Sequence, residues 1–401
     1  MMNVGQQKQR RLTGTSSGSK ARSWSILLGA LVVVASAVVF AGFSADSSGA
    51  SPATNASSSR ITTITLTSPT YRPKAPPGTT DDYHCTLLNP HLKKASYVIS
   101  SHFFPGSLED HHAGLFLLPP SLVAEARKAN VGGKGWTCFG EAGLPNEPIN
   151  EIGSTPFLSV WSPGHGVDSL PKGTGIELPA GTMVIMQVHY NLLVGDKPVK
   201  NRETIETVPT STPLLPLKLD LSFAAPDLPC PAGVVGQLCN RAASLAHQGQ
   251  EFGQSAIGFV NAIEAACGRN PSDPPSGDST SCTFPASATG YIVRSQAHMH
   301  LLGRSFKLVL NPGTSQAQTV LNVPSYNFHY QKAYNLAKPV HVTAGEPLQV
   351  TCTYDPTLAQ KLPILRKAPH HFVTWGDGSS DEMCLGLSWI SATLPNPHAS
   401  L

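Results

Sequence analysis

The chain reads as all-β, organised in two sandwich-sized halves. Three observations predict this. Charged residues make up 13% of the 401 residues, about half the roughly 25% of an average domain. The 35 Gly and 35 Pro favour turns over long helices. β-Branched and aromatic residues fall in many short runs bounded by turn residues.

Residues 1–24 form a basic tail. Lys8, Arg10, Arg11, Lys20 and Arg22 are five of the 28 basic residues, and no acid occurs in the first 45 positions, so the formal charge of +3 becomes 23 basic against 25 acidic residues beyond the tail. No basic face for nucleic acid remains. Residues 25–44 (SILLGALVVVASAVVFAGFS) are uncharged and mostly apolar. About 20 such residues suffice to span a bilayer, and the preceding positive charges keep the N-terminus cytoplasmic. A retained transmembrane signal-anchor and a signal peptide cleaved near Ala45 both fit. The remainder is exported in either case, held at the cell membrane or secreted. Residues 45–80, rich in Ser, Thr, Ala and Pro, read as a flexible stalk, with a short strand at Ile61–Thr67.

Strand candidates follow at Ser96–Phe103, His112–Leu118, Met183–Leu193, Leu217–Phe223, Tyr291–His300, Leu348–Tyr354 and Leu385–Leu394. In Leu217–Phe223, apolar residues alternate with Lys218, Asp220 and Ser222, the period of a half-buried strand. The Pro-rich linker TVPTSTPLLP (207–216) divides an N-terminal half, 81–212, from a C-terminal half, 213–396. An insertion at 226–286 holds one helical face, Phe252, Ala256, Phe259, Val260 and Ile263. LPAGTMVIMQVHYN (178–191) and VTAGEPLQVTCTYD (342–355) align without gaps, a faint repeat that fits two related β-sandwiches.

All eight Cys lie beyond the apolar segment, an even number that in an exported chain suggests disulfides. No CxxC pair marks a zinc ribbon. Cys85 and Cys138 are alone in the first half and are expected to pair. Cys230, Cys239, Cys267 and Cys282 have three possible pairings, which stay open.

Four features carry possible chemistry. His111-His112 opens a strand. Adjacent strand residues face opposite ways, so both reach one metal only at a strand end, at a bulge or through different ring nitrogens; alone, such a pair is more often a surface accident. His189 interrupts the apolar run MVIMQVHYNLL and, alone, is more often a core histidine bonded to a carbonyl. His298-Met299-His300 places two imidazoles on one strand face, a fair metal signal. Met383, in DEMC, is core filler unless it joins imidazoles, when its thioether suits Cu(I).

Taken in order, DDYHC (81–85), HH (111–112), WSPG (161–164), QVHYN (187–191), HMH (298–300) and DEMC (381–384) resemble the copper type II, ascorbate-dependent monooxygenases, the family of dopamine β-monooxygenase and peptidylglycine α-hydroxylating monooxygenase. The resemblance runs from about Asp81 to Leu394. It implies two antiparallel jelly-roll sandwiches, each holding one copper, with an open cleft between them. His111, His112 and His189 would hold an electron-transfer copper. His298, His300 and Met383 would hold the O2-binding, catalytic copper. It also implies a Cys352–Cys384 disulfide, a small-molecule substrate, O2 and a reductant such as ascorbate.

The sequence departs from the peptidylglycine enzyme where that enzyme holds a substrate carboxylate. Gln296, Leu385 and Leu387 replace its Arg, Asn and Tyr, which points to an apolar or aromatic substrate. Arg294 or Arg304 would restore the charge if either reached the cleft. The insertion is also extra. A non-catalytic copper-handling surface protein is the alternative function. A zinc hydrolase lacks an HExxH, and the GxSxG at Gly14–Gly18 lies in the basic tail.

Overall fold

The computed structural model describes residues 60–77, 79–139, 142–144, 156–192, 195–396, 398–399 and 401. The expected transmembrane segment lies outside them; among the described residues no helix is long and apolar enough to cross a membrane. The described chain is mainly β, with short helices and open sheets.

A five-stranded sheet has Asp81–Leu88 and Asp110–Leu118 on either side of Met183–Asn191, with Phe157–Trp161 and Trp136–Thr137 at its edges. A four-stranded sheet holds Ser279–Pro285, Pro347–Tyr354, Gly303–Leu310 and Gln318–Val323. A larger sheet runs Thr62–Thr67, Arg202–Pro209, Ser96–Phe104, Thr174–Leu178, Leu215–Phe223, Leu385–Ser391, Gly290–His298 and Ala333–Val342. One core joins Leu115, Met186 and Val188 of the five-stranded sheet to Val98, Ile176 and Ile205 of the large one. A second joins Phe306, Leu308 and Val350 of the four-stranded sheet to Ile292, Val342 and Ile390.

Several expectations shift. Residues assigned to the stalk are packed: Thr62–Thr67 pairs along Arg202–Pro209, Leu66 is buried, and the Tyr71 hydroxyl donates to Asp82 at 2.8 Å. The linker is shorter than 207–216, because the strand runs through Thr207 and Val208, both buried, to Pro209. Leu215 and Pro216 then add in parallel to Thr174 and Gly175, carrying the large sheet across the division. In Leu215–Phe223 the polar side is exposed at Lys218 but covered beyond it; Asp220 and Ser222 are buried, and Asp220 accepts the Ser287 N–H at 3.1 Å. The expected strand Tyr291–His300 ends at His298.

The helical elements are α1 (Val123–Ala129), then α2 (Arg241–Glu251) and α3 (Gln254–Ala266) in the insertion, with a further single turn at Leu358–Lys361. Phe252 precedes α3 instead of lying on it, since Gly253 at φ 94° breaks the helix there. The sequence face therefore splits between a turn and α3, and α2 was not foreseen. Its start is capped by the Asn240 side chain, which accepts the Ala243 N–H at 3.1 Å.

Disulfides join Cys85 to Cys138, Cys352 to Cys384, Cys230 to Cys239 and Cys267 to Cys282. The last two resolve the open pairings. Cys352 and Cys384 are fully buried and directly precede or lie within strands of the second core. Replacing both with Ala should cost about 4 kcal/mol, the loop-closure entropy for a sequence separation of 32, with a matching fall in the denaturation midpoint under non-reducing conditions. An unchanged midpoint would mean that packing alone fixes this segment.

Candidate metal centre

The first group of imidazoles stands on the five-stranded sheet. His112 is paired across the ladder with His189, and the register shifts between Asp110 and His112. That bulge gives the pleat an extra residue at His111, so the adjacent pair can share a side. One ligand atom from each of His111, His112 and His189 lies within 4.8 Å of the others. His189 Nδ1 and His112 Nδ1 are 3.3 Å apart. His189 donates through Nε2 to Asp81 at 2.8 Å, which leaves Nδ1 facing the group. His111 Nδ1 is buried without a hydrogen-bond partner, an arrangement that a metal would relieve.

The second group lies where Gly290–His298 ends. His298 donates through Nδ1 to Gln331 Oε1 at 2.6 Å, and His300 donates through Nδ1 to the Asp381 carbonyl at 3.1 Å. Both keep Nε2 for another partner. Because His300 lies beyond the strand, something other than the pleat must hold it. That is Glu382, whose carboxyl accepts the N–H of Leu302 at 2.6 Å, of His300 at 2.9 Å and of Met383 at 3.3 Å. The acid of DEMC therefore pins HMH and Met383 together. Met383 lines the same cavity as His298.

Burial sets the electrostatics. Desolvation, reinforced by the neighbouring His189, pushes His111 down to about 3; burial pushes His298 down to about 4 despite its bond to Gln331. Burial and the surrounding imidazoles drive His112 and His300 well below the ordinary range. At neutral pH these rings are uncharged, the form that binds a metal. Burial raises Asp81, but the bonds from His189 and Ser379 outweigh it and hold Asp81 below its ordinary value as a carboxylate. Both groups fit copper: all-imidazole in one, two imidazoles near a thioether in the other.

The groups stand ring to ring rather than across an open cleft. The ring centres of His112 and His298 are 5.5 Å apart, and Gln331 lies between them, its Nε2 3.3 Å from His112 Nε2. Phe328 packs on His111, His112 and His300. Beside them opens a cavity of about 530 Å³, lined by His112, His189, His298, Met383, Leu385 and Leu387 among others. Gln296 is in its wall, and among the described residues no Lys or Arg is. Arg294 is locked elsewhere, donating to both Asp168 oxygens at 2.6 and 2.5 Å and to Asn335 at 2.9 Å. Arg304 pairs with Asp355 at the surface.

The sequence did not single out Asp81, Gln331 or Glu382 individually. Asp81 and Glu382 sit inside recognised motifs; Gln331, in YNFHYQ, carries no local signal. Asp81→Asn should weaken copper at the first group by about tenfold to a hundredfold, because it removes the carboxylate that orients His189. Chelator competition would measure this, and an unchanged affinity would remove Asp81 from any role in holding the metal.

Comparison with known proteins gives a partial match. Residues 276–389 match the family model "Copper type II ascorbate-dependent monooxygenase, C-terminal domain". Mouse DBH-like monooxygenase protein 2 is 33% identical over 96 residues, 24% of this chain and 14% of that protein. Among solved structures, a Paenibacillus xanthan lyase covers 84% of this chain and 26% of its own at 10% identity and a TM-score of 0.20; an allantoicase from Saccharomyces cerevisiae covers 79% and 80% at 6% identity and 0.18. At such scores neither bears on the fold. Residues 276–389, which include His298, His300 and Met383, thus match the C-terminal domain of the copper type II ascorbate-dependent monooxygenases.

Proposed function

We propose that the protein is a copper- and O2-dependent monooxygenase that hydroxylates a C–H bond of a small apolar or aromatic substrate. One oxygen atom enters the C–H bond and the other leaves as water, with two electrons from an external reductant, of which ascorbate is the family's, and two protons. The observation that carries this reading is the pairing of HMH with Met383 through Glu382, beside an apolar cavity and facing a second imidazole group. Two coppers per chain would supply electron storage at one group and O2 activation at the other. His111, His112 and His189 would hold the first, His298, His300 and Met383 the second.

This chain's own residues do the rest. Asp81, Gln331 and the Asp381 carbonyl fix which ring nitrogens are free. Phe328 packs on the rings, and the cavity wall beside them is mainly apolar. The proposed setting is outside the cytoplasm, on the membrane or secreted, with the N-terminal and C-terminal halves each carrying one copper. A cavity of about 530 Å³ beside the ligands favours catalysis over mere copper handling.

Metal analysis of the loaded exported part should find two coppers per chain. Met383→Ile should retain the first copper, seen by its Cu(II) spectrum, and lose reductant-driven product formation. Full activity in that variant, or zinc that copper cannot displace, would overturn the assignment.

A glycine-extended peptide should not yield its α-hydroxyglycine product. Among the described residues no Lys or Arg lines the cavity, and losing a charge-assisted clamp costs about tenfold to over a hundredfold in binding. Robust product by mass spectrometry would reverse the substrate assignment.

A further inference from the structure

The insertion lies largely before the matched residues 276–389, yet it forms part of the cavity. Phe252, between α2 and α3, and Ser255, Ala256 and Phe259 of α3 line the same space as His298 and Met383. The wall is tied to its surroundings. From α2, the Ser244 hydroxyl donates to the Phe372 carbonyl at 2.7 Å and Gln248 Nε2 to the Trp375 carbonyl at 2.7 Å. Gly376 is what permits that approach, since a Cβ there would collide with Gln248 Nε2 and Asp381 Oδ2. Phe259 packs on Trp375 at 5.6 Å between ring centres, and Phe252 meets Phe139 of the N-terminal half at 4.8 Å. Cys267–Cys282 ties the end of α3 to the four-stranded sheet. A wall anchored at both ends and at its face is pre-organised, which is what selective binding needs.

We propose that the insertion is the specificity element of the site: Phe252, Ala256 and Phe259 form the wall that accepts an uncharged, apolar or aromatic substrate and holds it towards His298 and Met383. This rests on the monooxygenase reading for the reaction, and not for binding. Leu221, Phe223, Leu385 and Leu387 line the same cavity, with Phe223 edge-on to Phe259 at 6.3 Å between ring centres, so the occupant meets apolar side chains from the sheet as well as from the insertion. Among the described lining residues the acid is Asp377, and it is already engaged in an interaction of its own.

The probes are benzyl alcohol, benzoate and benzylamine, one ring with no charge, a negative charge and a positive charge. Trp161 and Trp375 line the cavity, so occupancy reads out as a change in intrinsic fluorescence of the copper-loaded chain. Benzyl alcohol should bind at least about tenfold more tightly than either charged probe, the cost of burying an unpaired charge being larger than that ratio. Ala256→Trp, which fills the wall, should weaken benzyl alcohol by at least about tenfold while copper content stays at the wild-type value. Phe259→Leu should weaken it less. Tighter binding of benzoate or benzylamine would overturn the uncharged assignment. Wild-type affinity in both variants would overturn the role of the insertion; if Ala256→Trp fails to fold, Phe259→Leu alone decides. Binding that follows the insertion without any hydroxylated product would instead defeat the monooxygenase reading and leave this inference standing.

Discussion

The carboxylate of Asp81 is the joint on which the site depends. It is buried at the start of its strand and accepts from His189 Nε2 at 2.8 Å, from the Ser379 hydroxyl at 2.7 Å and from the Ser379 N–H at 3.2 Å. One anion thus orients a ring of the first imidazole group and anchors the loop that presents Met383 to the second. A buried carboxylate survives only when its charge is matched by donors. Here those donors come from both halves of the chain. The geometry of the two groups is therefore one problem rather than two: moving the Met383 loop would unsatisfy the acid that holds His189.

The same economy appears at Gln331 and Glu382. A histidine offers a ligand atom in a defined direction only when its other nitrogen is fixed. Gln331 does this for His298 while its amide touches His112, and the Asp381 carbonyl does it for His300. Glu382 is buried and pushed up to about 8 by desolvation, against three backbone N–H bonds that favour its charge. Its cost is accepted because no regular strand is left to hold His300. Buried polar groups of this kind are individually expensive, and a fully connected set specifies one arrangement.

Much of this was legible in the sequence. The alternative stated for His111-His112, that a bulge lets neighbours share a side, is the register shift seen there. The mainly β character followed from turn-forming residues and low charge. Other features were not legible, for physical reasons. A period of two reports one dry face, so Asp220 and Ser222 suggested solvent, whereas the strand is covered on both sides at that end. The short strand expected at Ile61–Thr67 is present at Thr62–Thr67, but the stalk composition gave no sign of its partner, because a polar edge strand gains its place through ladder bonds to a neighbour distant in sequence. Gln331 is far from every motif, and only tertiary contact brings it between the imidazoles.

The ring-to-ring arrangement and the insertion have a common cause. A parallel pair of residues, Leu215 and Pro216 on Thr174 and Gly175, continues one sheet across the chain's two halves, and Asp81 crosses the same division by hydrogen bonds. Between such fixed points little freedom remains for a solvent-filled gap. What space there is lies to one side, where Leu385 and Leu387 give an apolar lining and where Phe252 and Phe259 arrive from the insertion. An apolar chamber beside metal ligands also strengthens every electrostatic contact within it, since the local dielectric falls as water leaves. The lowered imidazole pKa values follow from this burial, which keeps the rings neutral for a metal; on the proposed reading the same packing disfavours a charged occupant.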